Sequence, residues 1–260
     1  MSSHNKIIDE KNENTINQKE NIKLDVTTEL GCVDKNLLTP FTYDKTLLKK
    51  IDIYIYDLGN NIKLGYISVN KSASINTRDY CRRLFGNQTR LYIERPNSIN
   101  DLELQGINMF SIVRNPWERF HSTFNMLFGN NSLNEPEKFK TFSENPDKSE
   151  KVSAGPEHWR SQRDLLICKN GDFLPKYVGY INRLEDDILT IVSKIIPQKE
   201  AEEFYKKAKK IKKTHVHHSS KEFDNPLYYM KYYTDSISLN NVTLYVHEDI
   251  DLFNFKFDRA

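Results

Sequence analysis

With 260 residues, of which 38% are hydrophobic and 28% charged, the chain is long enough to bury one sizeable core, and one domain is expected. Its formal net charge of +2 is too small for a general nucleic-acid-binding protein, so any anion site is expected to be local. No stretch reaches the roughly 18 apolar residues of a membrane span, and three cysteines without Cys-x-x-Cys spacing are typical of a cytoplasmic protein with reduced thiols.

The first 40 residues are polar and charged without periodicity and carry no signal-like apolar run, which predicts a disordered or loosely attached segment. An α/β domain is expected over 41–260. From residue 51 the alternating stretch "IDIYIYDL", a Gly-Asn-Asn turn and "IKLGYISV" predict two neighbouring strands or a hairpin. A polar loop over 70–77 follows and leads into a short helix predicted over 78–85.

The nearly continuous apolar stretch 107–113, "INMFSIV", predicts a strand that is covered on both faces, as in a parallel sheet flanked by helices. A helix is predicted over 116–128, where Asn115 and Glu118 have the spacing of an N-terminal capping box. At 100° per residue the aromatic residues of this helix fall on one side, which is expected to face the core. Ser122 lies on the opposite side.

The polar insert 129–157 contains three prolines and predicts a mobile loop, which we expect to contribute to acceptor specificity. A strand is predicted over 176–181, helices over 185–196 and 198–213, and a further helix from about residue 234. The alternation of β and α signals predicts a single α/β domain.

Two places along the chain are candidate anion sites. Arg114 ends the apolar strand, where open α/β sheets bind their ligands, and its forked guanidinium together with the Ser122 hydroxyl suits a phosphate. The alternative is a surface serine and an arginine paired with a carboxylate. Lys71 lies in a strand–loop–helix that has the layout of a P-loop without the Gly-x-x-x-x-Gly-Lys-Ser/Thr pattern, so ordinary NTP hydrolysis is disfavoured. The alternative there is a plain polar loop.

The lysine loop followed by "VRNPWERFHSTF" resembles the sulfotransferase family that uses 3′-phosphoadenosine 5′-phosphosulfate (PAPS), and is nearer to its carbohydrate branch (Golgi-type and bacterial) than to its phenol and steroid branch. Arg114 and Ser122 match, in type and in their spacing of eight positions, the arginine and serine of the family's 3′-phosphate motif. The stretches "EHWRSQRDLL" and "YVGYINRLEDD" and the closing segment extend the resemblance over about 50–258.

This resemblance implies a single P-loop-like α/β domain with a central, mostly parallel β-sheet flanked by helices. It implies transfer of the sulfuryl group of PAPS to a hydroxyl of a carbohydrate acceptor, without a metal. Lys71 is expected to stabilise the leaving bridging oxygen, and His158 is predicted as the general base, with Glu94 as the alternative and a structural histidine as the other interpretation. The residues expected to bind PAPS are Lys71, Ser72, Ala73, Ser74, Ile75, Asn76, Thr77, Arg114 and Ser122.

The chain departs from the family pattern at two positions of the lysine loop. Asn70 stands where proline is usual, and Ile75 stands where a threonine usually contacts phosphate. The side chains expected to replace the missing hydroxyl are those of Ser74, Asn76 and Thr77. These departures leave open a non-catalytic nucleotide-binding protein of the same fold. A nucleotide kinase of related P-loop topology is the other alternative.

Two further groups of residues are expected near the PAPS pocket. Arg183 and Glu185 are predicted to form a structural pair. The basic segment 212–221 contains alternating histidines without a cysteine or carboxylate to complete a metal site, so it is interpreted as a loop near the phosphates, with Ser220 and Lys221 as candidate contacts.

Overall fold

The structure is a computed structural model that describes residues 49–101, 104–129, 136–146, 155–211, 228–234 and 236–257. The predictions for residues 1–40 and for the basic segment 212–221 lie outside these ranges.

A mixed sheet of five strands forms the centre of the described part of the chain. The strands are β1 (Lys50–Asp57), β2 (Lys63–Ile67), β3 (Gln88–Glu94), β4 (Ile107–Val113) and β5 (Tyr177–Tyr180). Their order in the sheet is β3-β1-β2-β4-β5. Strand β1 is antiparallel to both of its neighbours, whereas β2, β4 and β5 pair in parallel. All strands except β1 therefore run in one direction, and the predicted α/β fold with a mostly parallel sheet is confirmed.

Helices cover both faces of this sheet. They are α1 (Ser74–Phe85), α2 (Pro116–Phe128), α3 (Pro136–Glu144), α4 (Gln162–Leu165), α5 (Leu184–Ile195), α6 (Gln198–Ala208) and α7 (Ser236–Phe253). Because side chains alternate along a strand, Tyr54 and Tyr56 pack with α1 and α5 on one face, while Ile51 and Ile53 pack with α4 and the end of α7 on the other. Among the residues described, no helix is long and apolar enough to cross a membrane.

The predicted hairpin, the strand over 107–113 and the helix over 116–128 are all confirmed. Helix α1, in contrast, begins at Ser74, so the prediction that 74–77 belong to a loop is wrong. Ala73 precedes the helix in the left-handed conformation, with φ 55° and ψ 32°, and this sharp turn allows the polar residues after it to enter the helix at once.

Part of the insert 129–157 is also helical, which corrects the prediction that all of it is a mobile loop. Helix α3 buries Phe139 and Phe142, which lie three residues apart and so share one face of the helix. Their rings pack on Phe120 of α2, with centroid distances of 6.0 and 5.0 Å. Residues of the insert thus help to cover the aromatic side of α2.

Candidate functional site

The lysine loop lies between the end of β2 and the start of α1. Lys71 and Ala73 both have positive φ angles, of 65° and 55°, in a region that residues with side chains rarely adopt. The backbone N–H of Ser72 donates to the carbonyl oxygen of Val69 at 3.2 Å, and the buried Ser72 hydroxyl donates to Oε1 of Gln162 at 2.7 Å. Such a backbone persists only where the surrounding structure holds it, and these two hydrogen bonds supply part of that restraint.

The first turn of α1 offers backbone donors at the edge of this loop. The amides of Ser74, Ile75 and Asn76 have no acceptor within the helix, and they lie at the positive end of the helix dipole. The Ile75 side chain is 68% exposed. The Thr77 hydroxyl, expected to replace the missing one, donates to the carbonyl oxygen of Ala73 at 3.0 Å. Thr77 is thus engaged within the helix, and the backbone amides remain available to an anion together with the half-buried side chains of Ser74 and Asn76.

Arg114 follows the last residue of β4, on the strand next to β2. Its Nη1 donates to the carbonyl oxygen of Lys71 at 3.1 Å, so the two candidate anion sites meet. Its Nη2 pairs with Oε1 of Glu118 at 2.6 Å and lies 3.4 Å from the hydroxyl of Tyr228. The guanidinium is buried, and its Nε has no hydrogen-bond partner among the described residues. A buried charged donor without a partner is costly, and an anion at this atom would remove that cost.

Helix α2 begins at this point as the sequence predicts. The side chain of Asn115 accepts from the backbone N–H groups of Trp117 and Glu118. Glu118, expected to complete the capping box, places its carboxylate on Arg114. Ser122 is half-buried one helical turn beyond Glu118 and on the same side of the helix. The arginine–carboxylate pair considered for Arg114 is thus present, and Ser122 lies one turn further along the same side of α2.

Arg119 belongs to the site, although no role for it was expected. Its buried guanidinium donates to three backbone carbonyl oxygens, those of Asn70 at 2.8 Å, Glu157 at 2.7 Å and Arg160 at 2.5 Å. Burial lowers the pKa of Arg119 to about 10. Arg119 therefore joins the lysine loop to the segment that carries His158. The sequence signal was available, because this is the second arginine of "VRNPWER".

His158 ends a short 3-10 helix, Pro156–His158, beside the lysine loop. Its Nδ1 lies 3.1 Å from the carbonyl oxygen of Gly155. Because a carbonyl only accepts, Nδ1 carries the proton and Nε2 is the basic nitrogen. Burial lowers the pKa of His158 below its ordinary value, against the hydrogen bond to Gly155 and the charge of Glu157, which raise it. The lowered pKa favours the neutral ring, whose Nε2 can accept a proton.

The other candidates lie apart from this arrangement. Glu94 is exposed at the end of the edge strand β3, 4.0 Å from Lys50. The carboxylate that pairs with Arg183 is that of Asp187, at 3.4 Å, where Glu185 was expected. Within the described ranges, no group of three or more His, Cys, Asp or Glu side chains is placed to hold a metal ion.

Positive charge accumulates where the two motifs meet. Lys71 is half-buried, and burial together with the nearby charges of Arg114 and Arg119 lowers its pKa to about 8. Three cationic side chains thus share one region, and among the described residues a carboxylate contacts Arg114 alone of the three. Such a cluster favours an anion, because binding one relieves the repulsion among the cations.

The pKa of Lys71 predicts how catalysis depends on pH. Below about pH 8 the unliganded protein carries the ammonium, and above it the amine is neutral. For the catalytic role that the resemblance implies for Lys71, kcat/KM for the donor is expected to fall as the pH rises through this value. The fall in kcat is expected at higher pH, because a bound anion favours the protonated lysine. Rates measured between about pH 5 and pH 10 test the fall in kcat/KM and the fall in kcat.

The matched variant is Lys71→Arg, whose guanidinium stays charged well above pH 8. Its residual activity is expected to lack the alkaline fall. An alkaline fall that persists unchanged in this variant would assign it to another group.

At the ends of its parallel strands the sheet carries a lysine loop, buried arginines and an open helix N-terminus. These features define an α/β protein with a site suited to anionic groups such as phosphate or sulfate. The family model described as "Sulfotransferase family" matches residues 56–256, and the chain belongs to this family. It is accordingly a transferase of sulfuryl groups. No curated protein and no solved structure was found that matches the chain.

Proposed function

We propose that the protein transfers the sulfuryl group of PAPS to a hydroxyl of a carbohydrate acceptor in the cytoplasm. The observation that carries the proposal is the hydrogen bond of 3.1 Å from Nη1 of Arg114 to the carbonyl oxygen of Lys71. It joins the loop after β2 to the end of the neighbouring parallel strand β4, which is where open α/β sheets bind nucleotides. The two cations suit a donor with anionic groups at both ends.

The residues present fit such a donor. Arg114 has a buried Nε without a hydrogen-bond partner in the described ranges, and that atom can donate to a phosphate oxygen. The amides of Ser74 to Asn76 suit a second anionic group at the start of α1. We assign the 3′-phosphate to Arg114 and Ser122, and the phosphosulfate to Lys71 and the first turn of α1.

The mechanism follows from the charges that these residues hold. When bound, the donor supplies an activated sulfuryl group, and transfer leaves negative charge on the bridging oxygen. The Lys71 ammonium stabilises that charge, and the amides at the start of α1 assist it. Arg114 and Ser122 fix the register of the nucleotide and so supply positioning. Nε2 of His158 removes the proton of the acceptor hydroxyl.

The departure at Asn70 does not leave the lysine loop unsupported. Arg119 donates to the carbonyl oxygen of Asn70, and Gln162 accepts from the hydroxyl of Ser72. These hydrogen bonds supply the rigidity that a proline at this position would give. This restraint supports a catalytic protein over a binding protein that has only kept the fold. The carbohydrate acceptor rests on the resemblance of "VRNPWERFHSTF" to the carbohydrate branch.

Calorimetry with 3′-phosphoadenosine 5′-phosphate, and separately with Mg-ATP, tests the proposal. We expect binding of the bisphosphate that does not depend on Mg²⁺, because Lys71, Arg114 and backbone amides supply the positive charge. A preference for Mg-ATP would favour the kinase instead. Transfer of labelled sulfate from PAPS to a panel of sugars, lipids and small alcohols then identifies the acceptor. Binding without transfer to any of them would favour the non-catalytic protein.

A further inference from the structure

The side-chain amide of Gln162 lies between the two anion motifs. Its Oε1 accepts from the hydroxyl of Ser72 at 2.7 Å and from the backbone N–H of Arg114 at 2.9 Å. Its Nε2 donates to the carbonyl oxygen of Arg114 at 2.8 Å. One amide thus bonds the lysine loop and both backbone groups of Arg114, the residue that follows β4.

Asp249 of helix α7 holds Gln162 in place through hydrogen bonds. Its Oδ2 accepts from the backbone N–H of Gln162 at 2.8 Å and from Nε2 at 3.2 Å. Its Oδ1 accepts from the hydroxyl of Ser161 at 2.7 Å and the backbone N–H of Arg163 at 2.9 Å. Gln162 and Asp249 are both fully buried. The two donors and two lone pairs of the amide are all used, and rotating the amide by 180° would oppose like groups at its contacts with Arg114 and Asp249.

A buried amide is expensive unless every hydrogen bond is made, and when they are all made it specifies one arrangement of its neighbours. An apolar residue of the same length would fill the space but would not fix the direction of the lysine loop relative to β4. The hydrogen bonds of the amide therefore fix the orientation of the lysine loop relative to β4, which packing alone does not do.

We infer that Gln162, held by Asp249, is a positioning residue that keeps the lysine loop and Arg114 in one register, so that both ends of a bisphosphorylated nucleotide bind together. The inference rests on the proposed function. Gln162 acts through Ser72 and Arg114, and its own hydrogen bonds are all made within the protein.

The test is Gln162→Met, which keeps the length of the side chain and removes the amide. Affinities are measured for 3′-phosphoadenosine 5′-phosphate, adenosine 5′-phosphate and adenosine 3′-phosphate. Because a misplacement of about 1 Å at such a site costs up to about 10²-fold, we expect the affinity for the bisphosphate to fall about 30-fold. Each monophosphate uses one end only, and we expect its affinity to fall less than about 3-fold.

Four outcomes separate the possibilities. The selective loss supports the inference. An unchanged affinity for the bisphosphate, or an equal loss for all three ligands, overturns it, because a purely structural residue would not select between them. Failure of the wild-type protein to bind the bisphosphate would instead overturn the proposed function on which the inference rests.

Ser72→Ala provides a second variant if Gln162→Met does not fold, because it removes one hydroxyl and leaves the bonds from Gln162 to Arg114 and Asp249. We expect about a 5-fold selective loss for the bisphosphate, as for one hydrogen bond, and an unchanged ratio of affinities would overturn the inference. Ser111→Ala is the matched control. The buried Ser111 hydroxyl donates to the carbonyl oxygen of Ile67 at 2.9 Å and so also joins β4 to β2, away from the motifs. Loss of the Ser111 hydroxyl is expected to leave the ratio of the affinity for the bisphosphate to the affinities for the monophosphates unchanged.

Discussion

Lys71→Ala is expected to reduce the rate of sulfuryl transfer about 10³-fold, while the affinity for 3′-phosphoadenosine 5′-phosphate falls less than about 10-fold. The reason is that the half-buried ammonium acts on charge that develops only as the sulfuryl group leaves. Its desolvation, which lowers its pKa to about 8, also strengthens that interaction. Single-turnover rates with labelled PAPS, together with calorimetry, separate the two effects.

The control for Lys71→Ala is Lys63→Ala, which removes an exposed lysine at the opposite end of the same strand, β2. Its transfer rate is expected to equal that of the wild type. If Lys71→Ala also transferred sulfate at the wild-type rate, the leaving oxygen would have to be stabilised by another group, and the assignment of Lys71 would be lost.

Arg114→Ala is expected to weaken binding of 3′-phosphoadenosine 5′-phosphate at least about 10²-fold, because a buried, charge-assisted phosphate contact is removed. Binding of adenosine 5′-phosphate, which lacks the 3′-phosphate, is expected to weaken less. The variant also leaves the Glu118 carboxylate without its cation, which is destabilising in a buried place. Thermal melting is therefore measured alongside calorimetry.

Two further variants complete the measurement on Arg114. Arg114→Ala combined with Glu118→Gln removes both charges, so that a loss of affinity cannot be attributed to the unpaired carboxylate. Arg90, on the edge strand β3, is another arginine paired with a carboxylate, that of Asp52 at 2.8 Å. The Arg90→Ala variant is expected to bind both ligands as the wild type does. Equal losses for the bisphosphate and for adenosine 5′-phosphate would argue against a 3′-phosphate contact at Arg114.

Short-range patterns were sufficient to predict most of the fold. The alternation in β1 and β2, the apolar run of β4 and the single aromatic side of α2 all identify their elements from neighbouring residues alone. Helix α3 was missed because only Phe139 and Phe142 carry its signal, within a segment rich in prolines and polar residues. The start of α1 was placed too late because its first turn consists mainly of residues that also favour loops.

The site could be predicted only in part, for a physical reason. The meeting of Lys71 and Arg114 follows from the rule that parallel strands end at one edge of a sheet. Arg119 and Gln162, in contrast, bond mainly to backbone groups and to Asp249, whose positions depend on the whole fold. The stretches "VRNPWER" and "EHWRSQRDLL" contain the two residues, but they do not indicate these contacts. Glu118 was placed at a helix cap by its spacing, and only the fold brings its carboxylate to Arg114.

The position of Asp249 has a consequence for how the protein matures during translation. Helix α7 follows every strand of the sheet in the chain, so a ribosome has released all five strands before it makes the carboxylate that holds Gln162. A nascent chain halted after α6 would contain all the residues of the five strands, yet Gln162 would still lack the Asp249 carboxylate. Competence for the reaction is therefore acquired only after the sheet is complete and Asp249 has docked against Gln162.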